Sequence, residues 1–149
     1  MTNAHTVAAR EKKQADAEAV GIDETFISTL VDDFYARIRT DTVLGPIFHD
    51  RITDWPSHLE RMKAFWRSVL YKSGEFSGNP MVKHIAIPKI AEPEFSRWLS
   101  LFSKTLDAID VAPAARHLVL TRAQMIAESL LLGIRIHRDC VTHPTNLKG

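Results

Sequence analysis

One cysteine, Cys140, stands among 149 residues, which excludes an intrachain disulfide and fits a reducing compartment. Charge of either sign is not in surplus: 19 basic and 18 acidic side chains leave a formal net charge of +1. That is too little to neutralise a phosphate backbone, so nucleic acid is not an expected partner. Long apolar runs are absent too. Stretches such as Leu130–Ile134 fall far short of a bilayer span, and the opening MTNAHTVAAREKKQADAEAV lacks the apolar core of a secretory signal. The expectation is a protein without a membrane span, located in the cytoplasm. Several site patterns are also missing: the zincin HExxH, the ExxH spacing of carboxylate-bridged di-iron bundles, and a phosphate-cradling glycine loop.

What is present is a chain 45% hydrophobic and 25% charged, the balance of one globular domain large enough to bury a core. Residues 1–20, rich in Ala, Lys, Glu and Gln, read as an N-terminal extension with too few large apolar groups to dock firmly. Residues 21–138 read as the domain, and 139–149 as a flexible tail. From Ile22 the pattern turns helical: Phe26, Ile27, Leu30, Val31, Phe34, Tyr35 and Ile38 recur at spacings of three and four, one apolar stripe behind an Asp23 N-cap. Gly45-Pro46 reads as a break. A second helix is expected to start near Asp54 to Ser57, since Pro56 suits a first turn and Ser57 with Glu60 has capping-box spacing, and to end near Tyr71. Its apolar side carries Leu59, Met62, Phe65, Trp66, Val69 and Leu70, with His58 at the border. Pro93 opens a third helix bearing Phe95, Trp98, Leu99, Phe102, Leu106 and Ile109. Pro113 opens a fourth, to about Ile136, whose apolar side is expected to include Leu118, Met125, Ile126, Leu130 and Ile134. With no hairpin signal and no repeat, the fold class is all-α.

Between the second and third helices lies a stretch without period, about Ser73 to Ala91, containing GEFSGNPMVKHIAIP. A long irregular segment in a compact domain needs a reason, and Ile85, Ile87, Pro88 and Ile90 are too apolar for a solvated linker. A bound apolar cofactor would give it something to pack on. Taken singly, the candidate side chains have ordinary readings. His84 is a loop histidine, His58 a boundary residue, and Tyr35 and Trp98 are core aromatics with a polar end. His5, His49, His117, His137 and His143 are scattered and receive no site role.

Together, FY at Phe34-Tyr35, DTVLGPIF ending at Phe48, DWPSHLERMKAFW from Asp54 to Trp66, GEFSGNPMVKH ending at His84, FSRWLSLF around Trp98 and RAQMIAESL in the last helix resemble the third group of truncated haemoglobins. The resemblance covers about Ile22 to Ile136. It implies a truncated globin, a two-over-two helical sandwich enclosing haem b (iron protoporphyrin IX), with His84 as the proximal iron ligand. It places Tyr35, His58, Met62 and Trp98 on the distal side, with Tyr35, His58 and Trp98 stabilising a ligand. Phe48 matches the ring-packing aromatic, Phe65 and Trp66 match the aromatic pair that borders the haem cavity, Ile87 adds apolar cover, and Lys83 is the cation assigned to a propionate. The sequence departs from the family pattern at Phe76, where relatives often carry tyrosine, in the short connection from Phe48 to Trp55, and in the N-terminal extension.

The implied function is binding of oxygen, nitric oxide and carbon monoxide, used for reactive-gas chemistry such as nitric oxide dioxygenation or peroxide reduction with electrons from an unidentified reductase. Two alternatives stay open: a non-catalytic haem module, whether gas sensor or haem carrier, and a cofactor-free helical interaction domain. Burying the porphyrin faces at on the order of 25 cal/mol per Å² makes the cofactor part of the core.

Overall fold

The seven apolar side chains of the first stripe, Phe26 to Ile38, are all buried on α2 (Glu24–Thr40). Each fully buried residue of this size contributes roughly 1.5–3 kcal/mol, so this helix is the spine of the core. The computed structural model describes residues 4–71, 74 and 76–142, and among them all regular structure is helical: α1 (Ala4–Ala19), α2, α3 (Leu44–Arg51), α4 (Trp55–Tyr71), α5 (Pro80–Ile85), α6 (Glu92–Asp107) and α7 (Pro113–Thr142). Asp23 caps α2 as expected, accepting from Phe26 N at 2.8 Å, and the Tyr71 hydroxyl donates to Ile22 O at 2.7 Å, tying the end of α4 to the start of α2. No helix among the described residues is long and apolar enough to cross a membrane.

Helix α2 packs on α4 and α6, and α6 on α7. These four form the two pairs of the two-over-two sandwich, and the short connection 108–112 makes α6 and α7 a helical hairpin. Helix α1 lies on α4 with Ala17 buried and its other described side chains outside the core. Helix α3 bridges α2 and α6, and α5 rests on α7.

Four expectations need correction. Gly45-Pro46 does not break the chain but lies in the first turn of α3, where the amide that proline lacks has no intrahelical acceptor anyway. Gly45 suits that position because a Cβ would come within 3.1 Å of Arg39 O. Helix α4 is capped not by Ser57 but by Asp54, whose Oδ1 accepts from Ser57 N at 3.2 Å, and Trp55 is already in the core. The stretch 73–91 is not uniformly irregular, since α5 interrupts it. Its cap, Asn79, accepts from Val82 N, and Pro80 occupies the first turn. Finally, the inward face of α7 is only partly the expected one: Leu130 and Ile134 are buried and Ile126 packs on the core as expected, but two of the named residues are not. Leu118 and Met125 are 38% and 53% exposed, while Ala115, Val119, Ala123, Ala127, Leu130 and Ile134 are buried; the small residues let α7 approach its neighbours closely. Helix α7 continues to Thr142, and residues 143–149 of the expected tail, His143 among them, lie outside the described residues.

Candidate functional site

The packing of α2, α4 and α6 leaves one wall of a cavity, and α3, α5 and α7 close the rest. Its volume is about 510 Å³, within the range of small-molecule and cofactor sites. Every side chain singled out in the sequence lines it. From α2, α4 and α6 come Tyr35, His58, Met62, Phe65, Trp66 and Trp98. From α3 comes Phe48, and from α5 and the turn after it come Lys83, His84 and Ile87.

The α2–α4–α6 wall is held by interlocked rings. Phe34, 1% exposed, meets Tyr35, Trp98 and Phe102 edge-on at centroid distances of 5.2, 5.3 and 5.1 Å. Phe102 in turn stacks on Trp66 and Trp98 at 5.3 and 5.5 Å. Aromatic pairs in these arrangements add about 0.5–1.5 kcal/mol each beyond area burial, so the positions of Tyr35 and Trp98 are set by the core. Tyr35 also meets the His58 ring edge-on at 5.1 Å, and Trp55, which the sequence reading passed over, backs both Tyr35 and His58 at 6.1 and 5.7 Å.

Among the described residues His58 Nε2 is buried without a hydrogen bond, and Tyr35, its ring packed on Phe34, Phe48 and His58, lines the same cavity. Burial pushes the Tyr35 phenol far above its ordinary pKa, so it stays a donor. Burial first, then the charges of Arg61 and Lys83, pull the His58 imidazole down to about 4, so it stays neutral at ordinary pH. A buried polar atom that the protein leaves unpaired calls for a partner from outside the chain.

The α5 wall presents a different arrangement. His84 Nδ1 lies 2.6 Å from Pro80 O. With the proton on Nδ1 donated to that carbonyl, Nε2 keeps its lone pair, the state a metal-binding imidazole needs. Among the described residues no group of three or more His, Cys, Asp or Glu side chains is placed to hold a metal ion. Haem, which the sequence resemblance implies, would bring the remaining ligands of an iron held through His84. The cavity volume, the apolar lining and a single tautomer-fixed imidazole fit haem. The approach to α5 is shaped by Phe76, whose N donates to Ser68 Oγ at 3.0 Å and whose ring meets Phe65 edge-on at 5.2 Å. Gly78 lets that ring lie close to the backbone, since a Cβ would sit 2.6 Å from it and the ring would have to shift.

Lys83 is exposed at the lining, but it is not the only cation there. Arg51 and Arg61 also line the cavity, and Arg51 Nη2 donates to Ala86 O at 3.2 Å, joining α3 to the end of α5. The sequence reading missed both arginines because a charge on an amphipathic helix normally reads as solvated surface. It missed Ala127 of α7 as a lining residue because size-weighted patterning passes over alanine, whereas Ile126 and Leu130, expected on the apolar side of that helix, do line the cavity.

Residues 17–131 match the family model described as bacterial-like globin. The chain is 34% identical over 110 residues to a group 3 truncated haemoglobin of Campylobacter jejuni, covering 71% of this chain and 86% of that one. It is 26% identical over 119 residues to a group 2 truncated haemoglobin of Bacillus subtilis, covering 78% and 88%. Among solved structures it is similar to the crystal structure of a group III truncated haemoglobin from Campylobacter jejuni, with a TM-score of 0.71 and 32% identity over 76% of this chain and 91% of that one.

Proposed function

This chain belongs to the bacterial-like globin family and, within it, to the third group of truncated haemoglobins, and from that premise we propose that it holds haem b through His84 and retains diatomic gases for reaction rather than delivery. When bound, haem would supply an iron centre able to take up a diatomic gas. His84 would hold that iron through Nε2, and the Nδ1 contact with Pro80 O fixes the orientation of the ring. Arg51, Arg61 and Lys83 at the lining are the cations available to the propionates. Phe48, Met62, Phe65, Trp66 and Ile87 keep water from the apolar faces.

The reading rests on one observation: Tyr35, His58 and Trp98 line one side of the cavity together, and His58 Nε2 among them is buried without a hydrogen bond. Tyr35 Oη and Trp98 Nε1 are donors that cannot lose their protons at ordinary pH. Oxygen gains negative character on binding and profits from such donors; carbon monoxide gains little charge and profits less. A hydrogen bond to a charged acceptor is worth about 1.5–3 kcal/mol, and about 1.4 kcal/mol is tenfold in a rate or equilibrium. Two donors therefore slow oxygen release beyond what a carrier needs, which favours nitric oxide dioxygenation or peroxide reduction. Either reaction requires electrons from a reductase, a partner proposed on chemical grounds.

Stopped-flow oxygen release tests the donor assignment. Tyr35→Phe is expected to release oxygen at least about tenfold faster, with carbon monoxide release changed much less; equal rates for wild type and variant remove Tyr35 from the role. Steady-state nitric oxide consumption under oxygen, with a reductase supplied, tests the use. Turnover that saturates with reductant supports an enzyme, and its absence leaves a gas-binding module.

A further inference from the structure

Helices α2, α3 and α6 meet at one residue outside the cavity lining, Asp41. Arg97 Nε and Nη2, on α6, donate to Asp41 Oδ2 and Oδ1 at 2.7 and 2.8 Å, a bidentate pair. Asp41 Oδ2 also accepts from Val43 N at 3.1 Å and Leu44 N at 2.9 Å, opening α3. Its own amide donates to Ile38 O at 3.1 Å, closing α2. The Asp41 side chain is 7% exposed, so the carboxylate is enclosed by the groups it holds.

From these contacts we infer that Asp41 and Arg97 are a positioning pair for the distal donors; the inference rests on the reading of Tyr35 and Trp98 proposed above. Arg97 immediately precedes Trp98, so fixing its guanidinium limits rotation of α6 about its axis, and a turn of α6 swings the indole. Asp41 follows Tyr35 at the end of the same helix. Leu44, Ile47 and Phe48 on α3 line the cavity, so the start of α3 sets where they stand. A two-pronged guanidinium–carboxylate contact constrains orientation as well as distance. Stability comes mainly from elsewhere, because Phe34 and Phe102 already bind α2 to α6 and an ion pair whose arginine is 43% exposed adds little. The pair's expected share is therefore in alignment more than cohesion.

Another pair provides the control. Arg116 reaches Asp107 Oδ1 through Nε at 2.8 Å and through Nη2 at 2.6 Å. It joins α7 to the end of α6, and neither residue lines the cavity.

The test uses the haem-loaded protein and reads the infrared C–O stretch of added carbon monoxide, the oxygen release rate, haem content and the thermal midpoint. Arg97→Gln leaves both backbone caps on Asp41, so α3 keeps its start. It is expected to shift or split the C–O band and speed oxygen release several-fold at near wild-type haem content and midpoint. Arg97→Lys, which keeps the charge but not the two-pronged geometry, is expected to recover part of the effect, and Arg116→Gln to leave the band unchanged. A band that moves in Tyr35→Phe and Trp98→Phe but stays put in Arg97→Gln overturns this inference alone. An equal shift in Arg116→Gln also overturns it, because general loosening then explains the result. A band unmoved by Tyr35→Phe and Trp98→Phe removes the donor reading and this inference with it.

Discussion

The two walls of the cavity are built to different standards. The α2–α4–α6 wall rests on Phe34 and Phe102, 1% and 0% exposed, with rings locked edge to face and face to face. The α5 wall has six helical residues, none of them buried. It is held by the Asn79 cap, the Arg51 contact with Ala86 O and the packing of Met81 against Gly133. A helix this short does not form by its own propensity. The difference sets an expectation of which side leans more on the cofactor: the distal wall is packed by its own rings, with His58 Nε2 left to pair, whereas the proximal helix buries no residue of its own.

The strongest way to break that contrast is to remove the proposed bond between cofactor and proximal wall. His84→Ala is expected to weaken haemin binding by more than about 100-fold, since losing a supporting contact alone costs 10–100-fold at a metal site. Titration with haemin, followed at the Soret band, measures it. Unchanged affinity would mean that the apolar faces alone hold the ring. Next in size is the response to haem removal. Backbone amides of Lys83 to Ile85 are expected to lose about two orders of magnitude of hydrogen-exchange protection, while those of α2 change little. Equal loss in both walls would show that the distal wall depends on haem as well.

How much of this was legible in the sequence differs between the walls for the same reason. The α2 stripe from Phe26 to Ile38 was readable because large residues at helical spacing bury themselves with little help, and Asp23 stands where a cap is needed. The proximal helix was not, because Pro80 to Ile85 is too short for a period to emerge and its shape depends on what it packs against. Helix α7 misled for another reason: its buried line runs through Ala115, Ala123 and Ala127, and size-weighted patterning follows Leu118 and Met125 instead. The cavity residues themselves came from motif resemblance, not periodicity. Arg51 and Arg61 carried no signal, since only tertiary placement separates a rim cation from a solvated one.

A smaller effect sharpens the distal side. His58 is neutral in the folded protein down to about pH 4, mainly through burial, with Arg61 and Lys83 adding repulsion. Unfolded, it takes up a proton near its ordinary value of about 6.5. The unfolded state therefore binds more protons between those limits, and stability is lost as pH falls from 6.5 toward 4. His58→Gln is expected to flatten the fall in urea midpoint between pH 6.5 and 5. A midpoint equally steep in the variant would show that the imidazole is not held neutral.

The smallest expected effect returns to the proximal wall. Lys89, in the turn between α5 and α6, has φ of +65°, left-handed backbone that costs a side-chain-bearing residue roughly 1–2 kcal/mol. Its side chain is exposed. Glycine removes the steric cost but adds freedom to the unfolded chain, so the two terms partly cancel. Lys89→Gly is expected to raise stability by about 0.5 kcal/mol, read as a higher urea midpoint at unchanged slope. If the proximal wall is the less determined of the two, relieving its strain should also strengthen haemin retention slightly. A loss of stability would mean that Lys89 makes compensating contacts and that this wall is more firmly specified than its burial implies.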